Sequence, residues 1–129
     1  MYPADRKYTK DHEWIMVESA SLALVGITQY AQEQLGDVVF VDITAAIGST
    51  LSQGEKLGEI ESVKAVSDLF SPTSGEIMEI NNHIIDHPEL INEDPHGRGW
   101  MVRIVPKDSL EIDSLMSGKE YGDYLATIV

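Results

Sequence analysis

Short segments rich in valine, isoleucine and threonine, each ended by glycine or proline after about ten residues, restrict the fold of this chain more than any other feature. Residues 14–18 and 21–26 are two such segments, and Ser19-Ala20 joins them as a predicted hairpin. Residues 57–62 and 66–70 form a second pair, with Val-Lys-Ala at the predicted apex. The spacing therefore predicts a mainly β fold built from many short strands.

Three further segments complete the predicted strands. Residues 38–43 form a continuous β-branched and aromatic run, which predicts a well-buried strand that crosses the core. Residues 76–80 alternate polar and apolar side chains, as a strand with one buried face does. Residues 100–105 predict a strand that ends at Pro106.

Helical signals are short and local. Residues 28–35 have helical spacing, with Thr28 suited to cap the first amides and Gly36 suited to end the helix. A helical turn is predicted after Pro88. Two segments near the C-terminus each begin with a cap residue followed by glutamate three positions later, as a capping box requires: Asp108 with Glu111, and Ser117 with Glu120.

Composition excludes several classes of function. The chain has 129 residues and a net charge of −13, so it would repel nucleic-acid phosphates and anionic lipid surfaces. We expect no nucleic acid or membrane among its partners. The absence of cysteine removes disulfides, thiol nucleophiles and Cys-based metal sites. The length and apolar content predict a single domain, residues 1–129.

Candidate catalytic residues are few. His83 and His87 have the i, i+4 spacing of neighbours on a helix, with Asp86 beside them, so a metal-dependent hydrolase is one hypothesis. No HExxH motif accompanies them, and exposed polar residues are the interpretation we favour. The sequence Gly97-Arg98-Gly99 is better explained as a tight turn than as a phosphate-binding loop.

Lys64 differs from the other lysines in its predicted position. It lies between two strands, so a hairpin would hold its amine at the apex, away from the body of the domain. Taken alone, such a lysine is usually a solubilising residue. An exposed apex is also where another enzyme could reach an amine.

Sequence blocks around Lys64 and along the chain resemble the family of glycine cleavage system H proteins, which carry lipoate and belong to the biotinyl/lipoyl domain group. The resemblance extends over about residues 8–104, and the blocks appear in the family's order and approximate spacing. They are Tyr8-Thr9, His12-Glu13-Trp14, Val25-Gly26-Ile27-Thr28, Leu35-Gly36-Asp37-Val38-Val39, Glu61-Ser62-Val63-Lys64-Ala65, Ser71-Pro72, Ser74-Gly75-Glu76, Leu90-Ile91-Asn92, Asp94-Pro95 and Gly99-Trp100.

The resemblance implies a barrel-sandwich hybrid, the lipoyl-domain-like fold of two antiparallel sheets with short peripheral helices. Residues 107–129 would be a C-terminal helical extension of this lipoyl-binding domain. It also implies lipoate joined by an amide to Lys64 and a non-catalytic carrier, expected to be a monomer. The implied partners are the pyridoxal-phosphate glycine decarboxylase (P protein), the tetrahydrofolate-dependent aminomethyltransferase (T protein), dihydrolipoamide dehydrogenase (L protein) and a lipoate-attaching enzyme.

Two acids match family positions that line a cleft for the loaded arm. They are Glu13 and Asp68, which lies four residues after Lys64. A carboxylate there could pair with the cationic aminomethyl group that such an arm carries. Each could equally be an ordinary exposed carboxylate.

Three other carriers stay open as alternatives. A biotin carrier shares the hairpin lysine but favours methionine on both sides of it, where this chain has Val63 and Ala65. A lipoyl domain of a 2-oxoacid dehydrogenase usually has aspartate before the lysine and lacks the His-Glu-Trp block. A lipoate-relay protein would use the same Lys64.

The His-Glu-Trp block begins close to Met1 and leaves no room for a transit segment. We therefore expect a bacterial cytoplasmic protein, or a mitochondrial matrix protein if this is a processed eukaryotic form.

Overall fold

The chain forms two antiparallel sheets flanked by short helices. The computed structural model describes residues 2–128; Met1 and Val129, which belong to the predicted domain 1–129, lie outside the described residues. The strands are β1 (Lys7–Tyr8), β2 (Glu13–Ser19), β3 (Leu22–Ile27), β4 (Val38–Asp42), β5 (Thr50–Leu51), β6 (Lys56–Ser62), β7 (Val66–Phe70), β8 (Gly75–Ile80) and β9 (Val102–Pro106). One sheet has the order β1-β2-β3-β9-β8-β5, and the other has the order β4-β6-β7.

Both predicted hairpins are present. Strands β2 and β3 pair antiparallel, with Trp14 opposite Gly26. Strands β6 and β7 pair antiparallel, with Glu61 opposite Val66. The two-residue strand β1, which is too short to leave a sequence pattern, extends the larger sheet beyond β2.

The sequence predicted that residues 38–43 form a well-buried strand that crosses the core. The strand is present, but the prediction that it is well buried is wrong. Strand β4 lies at an edge of the three-stranded sheet, where only Val38 and Val41 face the core. A register irregularity between Val38 and Phe40 leaves Val39 and Phe40 facing solvent, 49% and 55% exposed. A β-branched run can therefore form an edge strand with an apolar outer surface.

The helices begin where most of the capping signals predict. They are α1 (Gln29–Leu35), α2 (Asn82–Asp86), α3 (Leu90–Glu93), α4 (Ser109–Asp113) and α5 (Gly118–Ile128). The Thr28 hydroxyl accepts a hydrogen bond from the Ala31 amide, and Gly36 ends α1 with a φ of 79°. Ser117 and Glu120 form the predicted reciprocal capping box at the start of α5.

The other predicted capping box is wrong. Asp108 does cap α4 by accepting from the Leu110 amide. Glu111, however, accepts hydrogen bonds from the Ser74 amide and from the hydroxyls of Ser74 and Thr73. The glutamate therefore holds α4 against the turn before β8 and does not cap its own helix.

Apolar side chains form two buried clusters. The larger cluster includes Ile15, Val25, Ile60, Ile77 and Ile104 from both sheets. The second is aromatic and packs α5 against the first strands; it consists of Tyr8, Trp14, Leu24, Tyr121 and Leu125. Within residues 2–128, no helix has the length and apolar character needed to cross a membrane.

Candidate functional site

The tight turn after β6 holds Lys64 at the apex of the β6–β7 hairpin, as predicted. The amide of buried Ser62 donates to the Ala65 carbonyl at 2.8 Å. The Ser62 hydroxyl accepts from the amides of Lys64 (3.3 Å) and Ala65 (3.1 Å). The Val63 amide donates to the Asp37 carbonyl at 3.0 Å, which joins the apex to the segment before β4. These bonds make the base of the Lys64 side chain stiff.

The Lys64 side chain is exposed and lies next to the end of α1. A Cβ atom placed on Gly36 would be 3.5 Å from Lys64 Cε, so the aliphatic part of the lysine passes over that glycine. Within the described chain, its amine makes no ion pair and no hydrogen bond. The amine is therefore accessible to another molecule.

A cleft of about 420 Å³ opens beside the apex, between α1, β7 and the segment that precedes β2. Ala65, Val66 and Ser67, which follow Lys64 directly, form part of its wall. Both acids suggested by the sequence line this cleft. The complete lining is Asp11, His12, Glu13, Ile27, Tyr30, Ala31, Gln34, Leu35, Ile60, Ala65, Val66, Ser67, Asp68 and Leu69.

Glu13 is a buried carboxyl at the cleft, only 3% exposed. One oxygen accepts from the Thr9 hydroxyl at 2.9 Å, and the other accepts from the Phe70 amide at 3.2 Å. Burial outweighs these two hydrogen bonds and raises the pKa of Glu13 to about 7. A cation held in the cleft would favour the ionised form of this carboxyl.

Asp68 differs from Glu13 in its surroundings. Its side chain is exposed, and one carboxylate oxygen lies 3.5 Å from the Lys56 amine on the neighbouring strand β6. Asp68 therefore contributes a solvated charge at the cleft rim, whereas Glu13 contributes a desolvated carboxyl.

A polar network behind the cleft, formed by His12, Tyr121 and Thr28, was not predicted from the sequence. His12 lines the cleft in a left-handed conformation, with a φ of 69°. Its Nδ1 lies 2.8 Å from the Tyr121 hydroxyl, which lies 2.8 Å from the Thr28 hydroxyl at the start of α1. Burial lowers the pKa of His12. The network joins α5 to two walls of the cleft, and no spacing rule connects residues so far apart in the chain.

His83 and His87 are exposed, on and directly after α2. His87 Nδ1 lies 3.4 Å from a Glu89 carboxylate oxygen. Among residues 2–128, no three histidine or acidic side chains come together as metal ligands would. The structure thus gives the hydrolase hypothesis no metal-ligand cluster.

Comparisons with known proteins agree on one family. The family model described as glycine cleavage H-protein matches residues 6–128. The chain is 51% identical over 120 residues to the glycine cleavage system H protein of Bacteroides thetaiotaomicron, covering 93% of this chain and 94% of that one. It is 46% identical to the protein of the same name from Marinobacter nauticus, covering 96% and 95%. The crystal structure of a glycine cleavage system H protein from Mycobacterium marinum superposes with a TM-score of 0.86 at 43% identity, covering 96% of this chain and 98% of that one.

Proposed function

This chain belongs to the family of glycine cleavage H proteins, and on that premise we propose that it is the lipoyl carrier of a glycine cleavage system, with lipoate attached by an amide to Lys64. When bound, lipoate supplies the disulfide that takes the aminomethyl group of glycine from the decarboxylase to the tetrahydrofolate-dependent aminomethyltransferase and is reoxidised by dihydrolipoamide dehydrogenase. The observation that carries the proposal is an exposed lysine on a stiff turn beside a cleft that contains a buried carboxyl.

The hairpin suits the attachment of such an arm. Ser62 fixes the backbone on either side of Lys64, while the lysine side chain has freely rotating bonds. The stiff turn limits motion of the backbone, so the movement of the arm comes from rotation about the bonds of the long lysine side chain. The amine is free of partners within the described chain, so acylation would break no ion pair.

The cleft suits a cationic cargo that water would hydrolyse. In the proposed loaded state, Glu13 pairs with the cation from the buried side and Asp68 from the rim. Ion pairing strengthens as water is excluded, so the desolvated Glu13 would contribute more of it than Asp68. The surrounding apolar side chains, including Ile27, Leu35 and Leu69, limit water at the cleft wall.

The role in glycine cleavage is favoured over the carriers left open by the sequence. The matched relatives carry the name glycine cleavage system H protein, and the family model includes both the His-Glu-Trp block and α5. A 2-oxoacid dehydrogenase lipoyl domain or a lipoate-relay role is not favoured. We further propose a monomeric, non-catalytic carrier of the bacterial cytoplasm, since these relatives are bacterial.

A decarboxylation assay tests the proposed function. Purified glycine decarboxylase with pyridoxal phosphate and carboxyl-labelled glycine is mixed with the lipoylated protein, the unlipoylated protein or Lys64→Ala. We expect labelled carbon dioxide in proportion to the lipoylated protein alone. A 2-oxoacid decarboxylase with its own labelled substrate is the parallel arm. Efficient reaction in that arm and none with glycine would contradict the proposal.

A further inference from the structure

The outward side of the three-stranded sheet carries two rows of side chains, which we call together the outer face. The row nearer the hairpin apex consists of Phe40, Glu61 and Val66, which are opposite one another in the strand register. The next row consists of Asp42, Glu59 and Asp68, again in register. Residues directly opposite in antiparallel strands project from the same side, so each row forms a continuous strip.

Large apolar side chains are exposed in the first row and at the apex beside it. Phe40 is 55% exposed and Val66 is 64% exposed, and Val63 at the apex itself is 69% exposed. Val39, displaced outward by the irregularity in β4, is also exposed. Val63 directly precedes Lys64 and Val66 lies two residues after it, while Phe40 is in register with Glu61, so these exposed apolar side chains lie at the apex end of the outer face. Grouped exposed apolar side chains of this kind mark contact surfaces for other proteins.

The second row gives the outer face a negative charge. Its three carboxylates are accompanied by Lys56, whose amine lies 2.9 Å from Glu59 and 3.5 Å from Asp68. In the first row, Glu61 makes no ion pair with any residue that the structure describes. The face therefore complements a partner surface that is apolar where it meets the apex and basic beside it.

The length of the lysine side chain distinguishes between the enzymes that could bind this face. An unmodified lysine reaches roughly 6 Å from its Cα atom, whereas a lipoylated lysine places its sulfur atoms roughly 15 Å away. An enzyme that acylates the bare amine must come into contact with the apex and its neighbours. Enzymes that act on the sulfur atoms can react without covering these side chains.

We propose that the outer face is the docking surface for the enzyme that attaches the lipoyl group to Lys64, with Phe40, Val63 and Val66 as the apolar contacts and the acidic row as the electrostatic guide. This inference rests on the proposed function, because it takes Lys64 as the acylated residue.

The reaction at the docked lysine is an acyl transfer in which nothing is oxidised or reduced. The Nζ lone pair attacks the carboxyl carbon of lipoate activated by ATP as an acyl adenylate. The amide N–C bond forms, the C–O bond to AMP breaks and a proton leaves Nζ. The outer face changes neither the bonds formed nor the bonds broken, and supplies only binding.

The test compares rates of lipoylation, measured as the mass increment of the intact protein over time with a lipoate ligase, lipoate and ATP. For the double variant Phe40→Ser/Val66→Ser we expect kcat/KM to fall by about tenfold or more, mainly through KM, as truncation of apolar contacts at an interface does. Val17→Ser is the matched control, because Val17 is 51% exposed on β2 in the other sheet. It should be lipoylated at the wild-type rate.

The acidic row has its own variant. Asp42→Asn/Glu59→Gln should raise KM and weaken its dependence on ionic strength, since screened charges steer association. Far-ultraviolet circular dichroism and thermal unfolding of each variant verify that a slow rate is not caused by unfolding.

Each outcome separates the inference from the proposed function. If wild type gains no lipoyl mass, the proposed function fails. If wild type is lipoylated and the folded Phe40→Ser/Val66→Ser variant reacts equally fast, the docking surface is wrong while the function stands. If that variant is loaded normally but, once loaded, reacts slowly with glycine decarboxylase, the inference is overturned, and the effect belongs to a decarboxylase contact or to the cleft wall that Val66 also forms.

Discussion

Replacing Glu13 by glutamine should stabilise the protein at neutral and alkaline pH. The carboxyl is 3% exposed, and two hydrogen bonds do not offset the loss of water around its charge. Glutamine has nearly the same shape. Its carbonyl oxygen can accept from the Phe70 amide, and its NH₂ group can donate to the Thr9 hydroxyl. The substitution therefore removes the buried charge and keeps most of the packing.

The magnitude follows from the pKa. Burial raises the pKa of Glu13 from 4.5 to about 7, so the folded protein holds a proton that the unfolded chain releases between these values. Where the folded state binds more protons than the unfolded state, the free energy of unfolding falls as the pH rises. The ionised carboxyl thus lowers the free energy of unfolding by about 3 kcal/mol above pH 7, and by almost nothing near pH 4.5.

The assay is urea unfolding of wild type, Glu13→Gln and Glu76→Gln at several pH values from 4.5 to 8. The stability difference between Glu13→Gln and wild type should grow with pH and level off near pH 8, toward about 3 kcal/mol. Glu76 is an exposed glutamate on β8, and its substitution should change the free energy of unfolding only slightly. A Glu13→Gln difference that is constant across this range would refute the reasoning.

Three smaller perturbations test other contacts. Ser62→Ala should lower the free energy of unfolding by about 1 kcal/mol. It should also speed hydrogen exchange at the amides of the hairpin apex, because the hydroxyl that accepts from two of them is lost. Unchanged exchange would argue against a stiff apex. Tyr121→Phe should lower the free energy of urea unfolding by about 1–2 kcal/mol, since its hydroxyl is within bonding distance of the buried Thr28 and the partly buried His12, and a neutral effect would contradict the network. The Ser74 amide and hydroxyl contacts lower the pKa of Glu111, so this carboxylate stabilises the fold above its ordinary pKa and the gain is lost as the pH falls through the lowered value. Glu111→Ala should therefore be less stable than wild type at pH 7, with a difference that shrinks in acid; an equal difference at both pH values would exclude the ionised form as the cause.

Local patterns in the sequence predicted the turns and helix caps that form between residues close together in the chain. The turn that carries Lys64, the Thr28 cap and the capping box of Ser117 and Glu120 each depend on residues within a few positions, and the structure contains all three. The resemblance to H proteins predicted two antiparallel sheets, which periodicity alone does not determine, and the order of the strands in each sheet came only from the structure.

Features that depend on distant residues were not predictable from such patterns. Glu111 bonds to Ser74 and not to its own helix, because tertiary packing of α4 brings three donors to its carboxylate. The side chain of Phe40 is exposed because β4 lies at the edge of its sheet and has an irregular register there. The contact between His12 and Tyr121 joins opposite ends of the chain, and only the folded structure reveals it.

The most direct test of the proposed carrier role is the intact mass of the protein after incubation with lipoate, ATP and a lipoate-attaching enzyme, compared among wild type, Lys64→Ala and Lys107→Ala. Lys107 is an exposed lysine directly after β9 and serves as the control. We expect wild type and Lys107→Ala to gain one lipoyl group each, and Lys64→Ala to gain none. A lipoyl group that still attaches to Lys64→Ala, or wild type that gains none, would contradict Lys64 as the carrier lysine.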